Sequence, residues 1–408
     1  MQSSTTHTSS SAPHAQGVKT SRARSAAAVI ALSLGCFTFV STELMPVGVL
    51  PSMAQGLNVS LGQAGYLVMG FAFMVALTAA PLTSMLSAVN RKLLMAALLA
   101  VCCLGNLATY LAPGYFIVLI ARMLVAAAIG VFWSTAVVTA VHLVAARHAV
   151  RATSIVFGGV SLAAVLGIPA GTILGEHQGW RAVFAALSVL SLLVFAVIAW
   201  SVPAVKIAKS STRGAMSAIL KDGRLIAVFA TTALIVTGNF LVYTYIAPYL
   251  EQVAGQTAGQ ISVMLLVYGG AGVITNFAIA PFAAKSLRTC LVIVTALLAV
   301  SLVAMNMAVT SYGAMLATLT VWGGAYGALP VLLQTMVFKH ASKIEGGADA
   351  ATSVNVAVFN AAIGLGAWIG GLIINSAGAA PIPGLSACFI LAGLIVVIAT
   401  RQRTSRQR

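Results

Sequence analysis

The sequence predicts an all-α membrane protein whose twelve transmembrane helices form two pseudo-symmetric six-helix bundles. Three observations carry this expectation. First, the 408 residues are 60% hydrophobic and 7% charged, with a mean hydropathy of +1.02. A soluble globular chain carries about 25% charged residues, so this composition suits a bilayer. Second, apolar stretches of spanning length, about 20 residues each, follow one another along the chain. Third, the basic residues fall between these stretches in a regular alternation.

Residues 1–25 are rich in Ser and Thr, hold no acid, and carry Lys19, Arg22 and Arg24. They read as a disordered cytoplasmic tail. The predicted spans are 26–50, 64–88, 93–112, 115–145, 153–176, 181–203, 225–250, 259–283, 289–310, 312–338, 350–376 and 384–400. Loops after spans 1, 3, 9 and 11 hold no Lys or Arg, and those after spans 5 and 7 hold Glu176 and Glu251. Intervening loops hold Arg91 and Lys92, Arg147 and Arg151, the cluster from Lys206 to Arg224, Lys285 and Arg288, and Lys339 and Lys343. All basic residues except Arg122 and Arg181 therefore share one side. The positive-inside rule places both termini in the cytoplasm, in an inner (plasma) membrane.

The longest inter-span loop, 204–224, divides the chain into bundles at 26–203 and 225–400, followed by a basic cytoplasmic tail at 401–408. The halves repeat at an offset of 197 residues: Pro51 and Pro248, Gln63 and Gln260, Arg91 and Arg288, Gly130 and Gly327, Gly167 and Gly364. Parallel repeats of this kind place a binding site at the interface between halves.

Six residues are acidic, and Glu43 alone lies inside a span. A carboxylate at mid-membrane depth costs roughly 2.5–3.5 kcal/mol, which marks it as a functional candidate. Arg122, inside span 4, lies at nearly the same depth, so an ion pair between them is expected. Desolvation favours the neutral carboxyl, whereas a close guanidinium favours the carboxylate. A contact that forms and breaks would load and release a proton.

Span 5 carries Gly167, Pro169, Gly171 and Gly175, and span 11 carries Gly364 and Gly366. Small residues at this spacing allow close helix approach, and Pro bends its helix. Both helices are expected at a moving interface between the halves. Trp133, Asn239, Tyr243, Gln334 and Asn360 are polar or amphipathic groups within spans, suited to a small, partly polar ligand. Arg91 and Lys92 are expected at a cytoplasmic gate.

The five cysteines lack metal-ligand spacing and read as small buried hydrophobes. The net charge of +16 is spread over short clusters between apolar runs, which suits a lipid surface and not nucleic acid. There is no nucleotide loop, metal cluster or nucleophile–base arrangement, so neither an enzyme nor a cofactor is expected.

Several stretches resemble the major facilitator superfamily. They are Thr42-Glu43-Leu44 with Pro46, Val47, Gly48, Leu50 and Pro51; Arg122 followed by Gly130 and Trp133; GIPAG in span 5 followed by Gly179-Trp180-Arg181; YIAP in span 7; and FNAAIGLGA in span 11. More narrowly, they resemble its twelve-span drug:proton antiporter branch, of the sugar-efflux and chloramphenicol-resistance type. That resemblance implies a monomeric, proton-coupled exporter of a sugar, nucleoside or drug-like solute, with Arg122 involved in proton transfer. A facilitative or symport importer shares the same fold, and a non-transporting membrane sensor is a distant alternative. The loop between spans 2 and 3 departs from the family pattern: Thr83, Ser87 and Ala88 stand where a Gly, an acid and a base are expected.

Overall fold

A computed structural model describes residues 22–145, 148–204, 215–344 and 347–405. Positions 1–21 of the expected N-terminal tail, Arg147, 205–214 of the expected linker and 406–408 of the basic tail lie outside the described residues. The helices are α1 (Arg22–Gly56), α2 (Leu61–Met85), α3 (Arg91–Leu111), α4 (Tyr115–His142), α5 (Ala149–Leu162), α6 (Ile168–Gln178), α7 (Trp180–Ser201), α8 (Ala215–Ile219), α9 (Gly223–Tyr243), α10 (Ile246–Gln252), α11 (Ala258–Ala278), α12 (Ala280–Met307), α13 (Tyr312–Ala341), α14 (Gly347–Ala377) and α15 (Ile382–Ser405). Among the described residues, twelve helical stretches are long and apolar enough to cross a membrane, with α5 and α6 forming one of them. Helices satisfy their own backbone groups, which is what a bilayer demands of a spanning segment. Large apolar side chains such as Leu77, Met85, Phe116 and Met307 project from the surface, as a lipid-facing wall requires.

The helices exceed the predicted spans at several ends. α1 starts at Arg22 within the expected tail, and α15 runs on to Ser405 within the expected basic tail. Hydrogen bonding carries a helix past the last apolar residue, so hydropathy marks the membrane crossing and not the helix end.

The 197-residue repeat has a physical basis in caps and breaks. Ser60 accepts from the Gln63 amide while the Gln63 side chain accepts from the Ser60 amide, a capping box that starts α2. Thr257 and Gln260 form the same box at the start of α11, one repeat later. Pro51 follows a non-helical Val49 (φ −124°) in α1, and Pro248 follows the break between α9 and α10 at Tyr245 (φ −111°). Proline removes a backbone donor and so distorts the turn before it. Span 7 is therefore a broken helix and not the continuous one expected over 225–250.

Helices α1–α7 form one half and α9–α15 the other. The halves meet where α2 packs on α14, where α6 and the turn before it pack on α11, and where α1 meets α10. At the end of the bundle opposite the basic loops, the Gly62 amide donates to Asn375 Oδ1 at 3.1 Å. A Cβ on Gly65 would strike Tyr245, so only glycine lets α2 come this close. Ser262 donates to the Pro169 carbonyl at 3.0 Å, and Gly269 lies against the backbone of Ala164 and Val165. The bundle is thus closed at the end away from its basic loops.

Within the second half, α11 and α13 cross backbone to backbone. A Cβ on Gly323 would collide with the Tyr268 backbone, and one on Gly327 with the Gly272 backbone. A backbone obstacle cannot rotate away, and overpacking of a core costs about 1–3 kcal/mol or more. Gly327→Leu is expected to lower the thermal unfolding temperature of the detergent-purified protein clearly. Gly313→Ala, whose added Cβ meets open space, is expected to leave it unchanged.

Candidate functional site

The site grows from the proline at position 46. Pro46 has no N–H, so the Thr42 carbonyl one turn earlier loses its helical donor. Arg122 supplies the replacement. Its Nη1 donates to the Thr42 carbonyl and its Nη2 to the Glu43 carbonyl, both at 3.1 Å. The guanidinium also lies over the Phe71 ring, 4.9 Å from its centroid. Asn106 of α3 donates to the Thr42 hydroxyl at 3.1 Å, and that hydroxyl donates to the Thr38 carbonyl at 2.8 Å. Helices α2, α3 and α4 thus converge on the Thr42–Pro46 turn of α1.

The expected side-chain ion pair is corrected by this geometry. No hydrogen bond or ion pair reaches the Glu43 carboxylate among the described residues, because Arg122 is held by backbone carbonyls beside it. The two charges remain within electrostatic reach of each other. Glu43 is half-buried and keeps its hydrogen-bonding capacity open.

Across the interface stands an aromatic cluster from the second half. Tyr243 of α9 stacks on Tyr268 of α11, with centroids 5.2 Å apart and planes at 26°. Trp322 of α13 meets Tyr268 edge-on at 4.8 Å, and Phe240 lies 6.1 Å from Tyr326. The close α11–α13 crossing brings these rings together. Trp322 Nε1 donates to Asn239 Oδ1 at 2.9 Å. The buried Asn239 Nδ2 has no hydrogen-bond partner of good geometry, and the Tyr268 hydroxyl lies beside the amide. Among the described residues, the hydroxyls of Tyr243 and Tyr326 make no hydrogen bond.

Of the residues singled out in the sequence, Asn239 and Tyr243 belong to this cluster. The other three do not. Trp133 lies 6.0 Å from Phe157 within the first half. Gln334 donates to Thr352 and accepts from Asn355, both at 2.9 Å, binding α13 to α14. Asn360 donates to the Val356 carbonyl of its own helix. Tyr268, Trp322 and Tyr326 were missed. The available signal was the spacing of Trp322 and Tyr326, four residues apart on one helix face and separated by small residues.

The glycine stripe of span 5 also differs from expectation. Added Cβ atoms on Gly167, Gly171 and Gly175 would meet Ser41, Met45 and Val49 of α1, so the stripe packs inside its own half. The contact with the other half is made through Ala164, Val165 and the Pro169 carbonyl. Pro169 follows a π-turn at Ala163–Gly167, which accommodates the missing amide and turns this backbone toward α11. In span 11, Gly364 faces Phe73 across the halves, whereas Gly366 packs on α9. Arg91 and Lys92 lie at the start of α3, with Arg91 buried and Lys92 half-exposed.

Two pseudo-equivalent six-span halves, packed on each other through α2 with α14 and α6 with α11, are the architecture of a secondary transporter. The Major Facilitator Superfamily profile matches residues 30–348, and the chain belongs to that family. It is 34% identical over 356 residues to "Uncharacterized MFS-type transporter YfhI" of Bacillus subtilis (strain 168), covering 86% of this chain and 87% of that one. The fold is similar to a solved structure described as "Crystal Structure of A Bacterial Homolog to Human Lysosomal Transporter, Spinster, in Inward-facing And Unoccupied Conformation". That similarity has a TM-score of 0.70 at 15% identity and covers 93% of this chain and 96% of the other. The protein is a secondary transporter of the membrane and not an enzyme.

Proposed function

We propose that the protein exports a small, partly polar solute across the inner membrane in exchange for protons, working as a monomer with both termini in the cytoplasm. The observation that carries this reading is a Glu43 carboxylate without a protein hydrogen bond or ion pair among the described residues, inside the first half, with a tyrosine–tryptophan cluster in the second half. Solute occupies the space between them. Its apolar or planar part lies against Tyr326 and Tyr243, and its polar groups bond the tyrosine hydroxyls and Glu43. Glu43 takes a proton when the site faces outward and gives it up when the site faces inward. Arg122 holds the Thr42 and Glu43 carbonyls of α1 and tunes the carboxylate through space. Sugars, nucleosides and drug-like molecules of the drug:proton antiporter branch all fit this chemistry.

The alternation of basic loops supports an orientation in which the end closed by Gly62–Asn375 and Ser262–Pro169 faces outward. The test uses inverted membrane vesicles with an acidified lumen. Adding a transported solute is expected to release luminal protons. Solute movement that is indifferent to the proton gradient would contradict proton coupling, and solute that enters right-side-out vesicles with protons would reverse the direction.

A further inference from the structure

The first amides of a helix have no partner inside it, and each needs an acceptor from elsewhere. At the start of α2 most of this need is met within the first half. The Ala64 amide donates to the Ser60 carbonyl at 2.9 Å, and the Gln63 amide to the Ser60 hydroxyl at 3.1 Å. The Gly62 amide is served from the other half, by Asn375 Oδ1 near the end of α14, at 3.1 Å. An asparagine cap ordinarily belongs to the helix it starts. Here a residue of one bundle caps a helix of the other.

The backbones must approach closely for so short a side chain to reach across. A Cβ on Gly62 would strike the Gly371 carbonyl as well as the Asn375 amide, and a Cβ on Gly371 would strike Tyr66 of α2. The second seam does not repeat this contact. One repeat later α11 starts with the same capping box, and Gly259 stands in the place of Gly62. A Cβ on Gly259 meets open space, and Gln178, the counterpart of Asn375, makes no hydrogen bond to its amide among the described residues. The α6–α11 seam closes further along α11, at Ser262 and Gly269.

The halves of a secondary transporter part at this end whenever the site opens there. The Gly62–Asn375 bond then breaks. We propose that Asn375 is a latch, which caps α2 only while this end is closed and so sets the balance between its closed and open arrangements. The positive end of the α2 dipole meets the side-chain oxygen, which favours the closed arrangement. The latch requires only that the halves alternate, whichever ion drives transport and in whichever direction.

Spin labels at Gly114→Cys and Gly313→Cys test this. These positions lie at the same end of the first and second halves, and a Cβ added at either meets open space. The full chain carries the labels with its five native cysteines replaced by alanine, and pulsed electron resonance in lipid vesicles reads their separation. Asn375→Ala is expected to raise the ratio of long to short separations roughly threefold, in the lower part of the range for a lost helix cap because Asn375 is exposed. Asn375→Asp is expected to lower the ratio at neutral pH, since a carboxylate accepts from the same amide and faces the positive end of α2. Gln178→Ala is expected to leave the ratio at the wild-type value. An unchanged ratio in Asn375→Ala, a shift of Asn375→Asp in the same direction as Asn375→Ala, or an equal shift in Gln178→Ala would each overturn the proposal.

Discussion

Arg122→Leu is expected to destabilise the protein more than any other single polar substitution at the site. The change removes two charge-assisted hydrogen bonds to the Thr42 and Glu43 carbonyls, each worth roughly 1.5–3 kcal/mol. The Thr42 carbonyl would then be buried without a donor, because Pro46 cannot supply one. Contact with the Phe71 ring is lost as well. A sharp fall in thermal unfolding temperature in detergent is the expected readout. Arg122→Lys should recover only part of it, since a single ammonium lacks the planar fork that spans two neighbouring carbonyls. Pro46→Ala separates the two roles of the residue. It returns an amide to the Thr42 carbonyl, so Arg122→Leu is expected to cost less in that background. Equal cost in both backgrounds would show that the proline-freed carbonyl is not what Arg122 serves.

The second large effect is expected at Glu43. Its carboxylate makes no protein hydrogen bond or ion pair among the described residues, so Glu43→Gln removes a titratable group without breaking a structural contact. Folding and unfolding temperature should therefore be close to wild type, in contrast to Arg122→Leu. Proton-driven accumulation of solute should fall to the level of non-energised vesicles, because a glutamine cannot carry a proton between the two sides. Exchange of solute for solute does not need that proton and should continue. A marked loss of stability in Glu43→Gln would instead make the residue structural.

Much of this architecture could be read in the sequence for physical reasons. Spanning helices must be long and apolar, so hydropathy counted them. Ser60–Gln63 and Thr257–Gln260 repeat because equivalent helices need equivalent caps, and Pro51 and Pro248 repeat because both mark breaks. Glu43 and Arg122 stood out because charge is costly at that depth. What they bond to was not legible. It depends on one orphaned carbonyl, which lies in the backbone and not in a side-chain pattern. The aromatic cluster was hidden for another reason: Tyr268, Trp322 and Tyr326 sit in spans where aromatic residues also face lipid or fill cores, and only the α11–α13 crossing at Gly323 and Gly327 brings them together. Trp133, Gln334 and Asn360 looked alike as in-span polar groups, yet their partners lie within their own halves. The side on which a glycine stripe packs was equally unreadable, because Gly167, Gly171 and Gly175 permit close approach to any neighbour.

The most direct test of the central claim compares two fluxes in one preparation of reconstituted vesicles, for wild type and Glu43→Gln. One is solute exchange at equal pH on both sides, and the other is uphill solute movement driven by a pH difference. The account predicts that wild type performs both and that Glu43→Gln retains exchange while losing the uphill flux. Uphill flux that survives in Glu43→Gln would contradict it and place the coupling proton elsewhere.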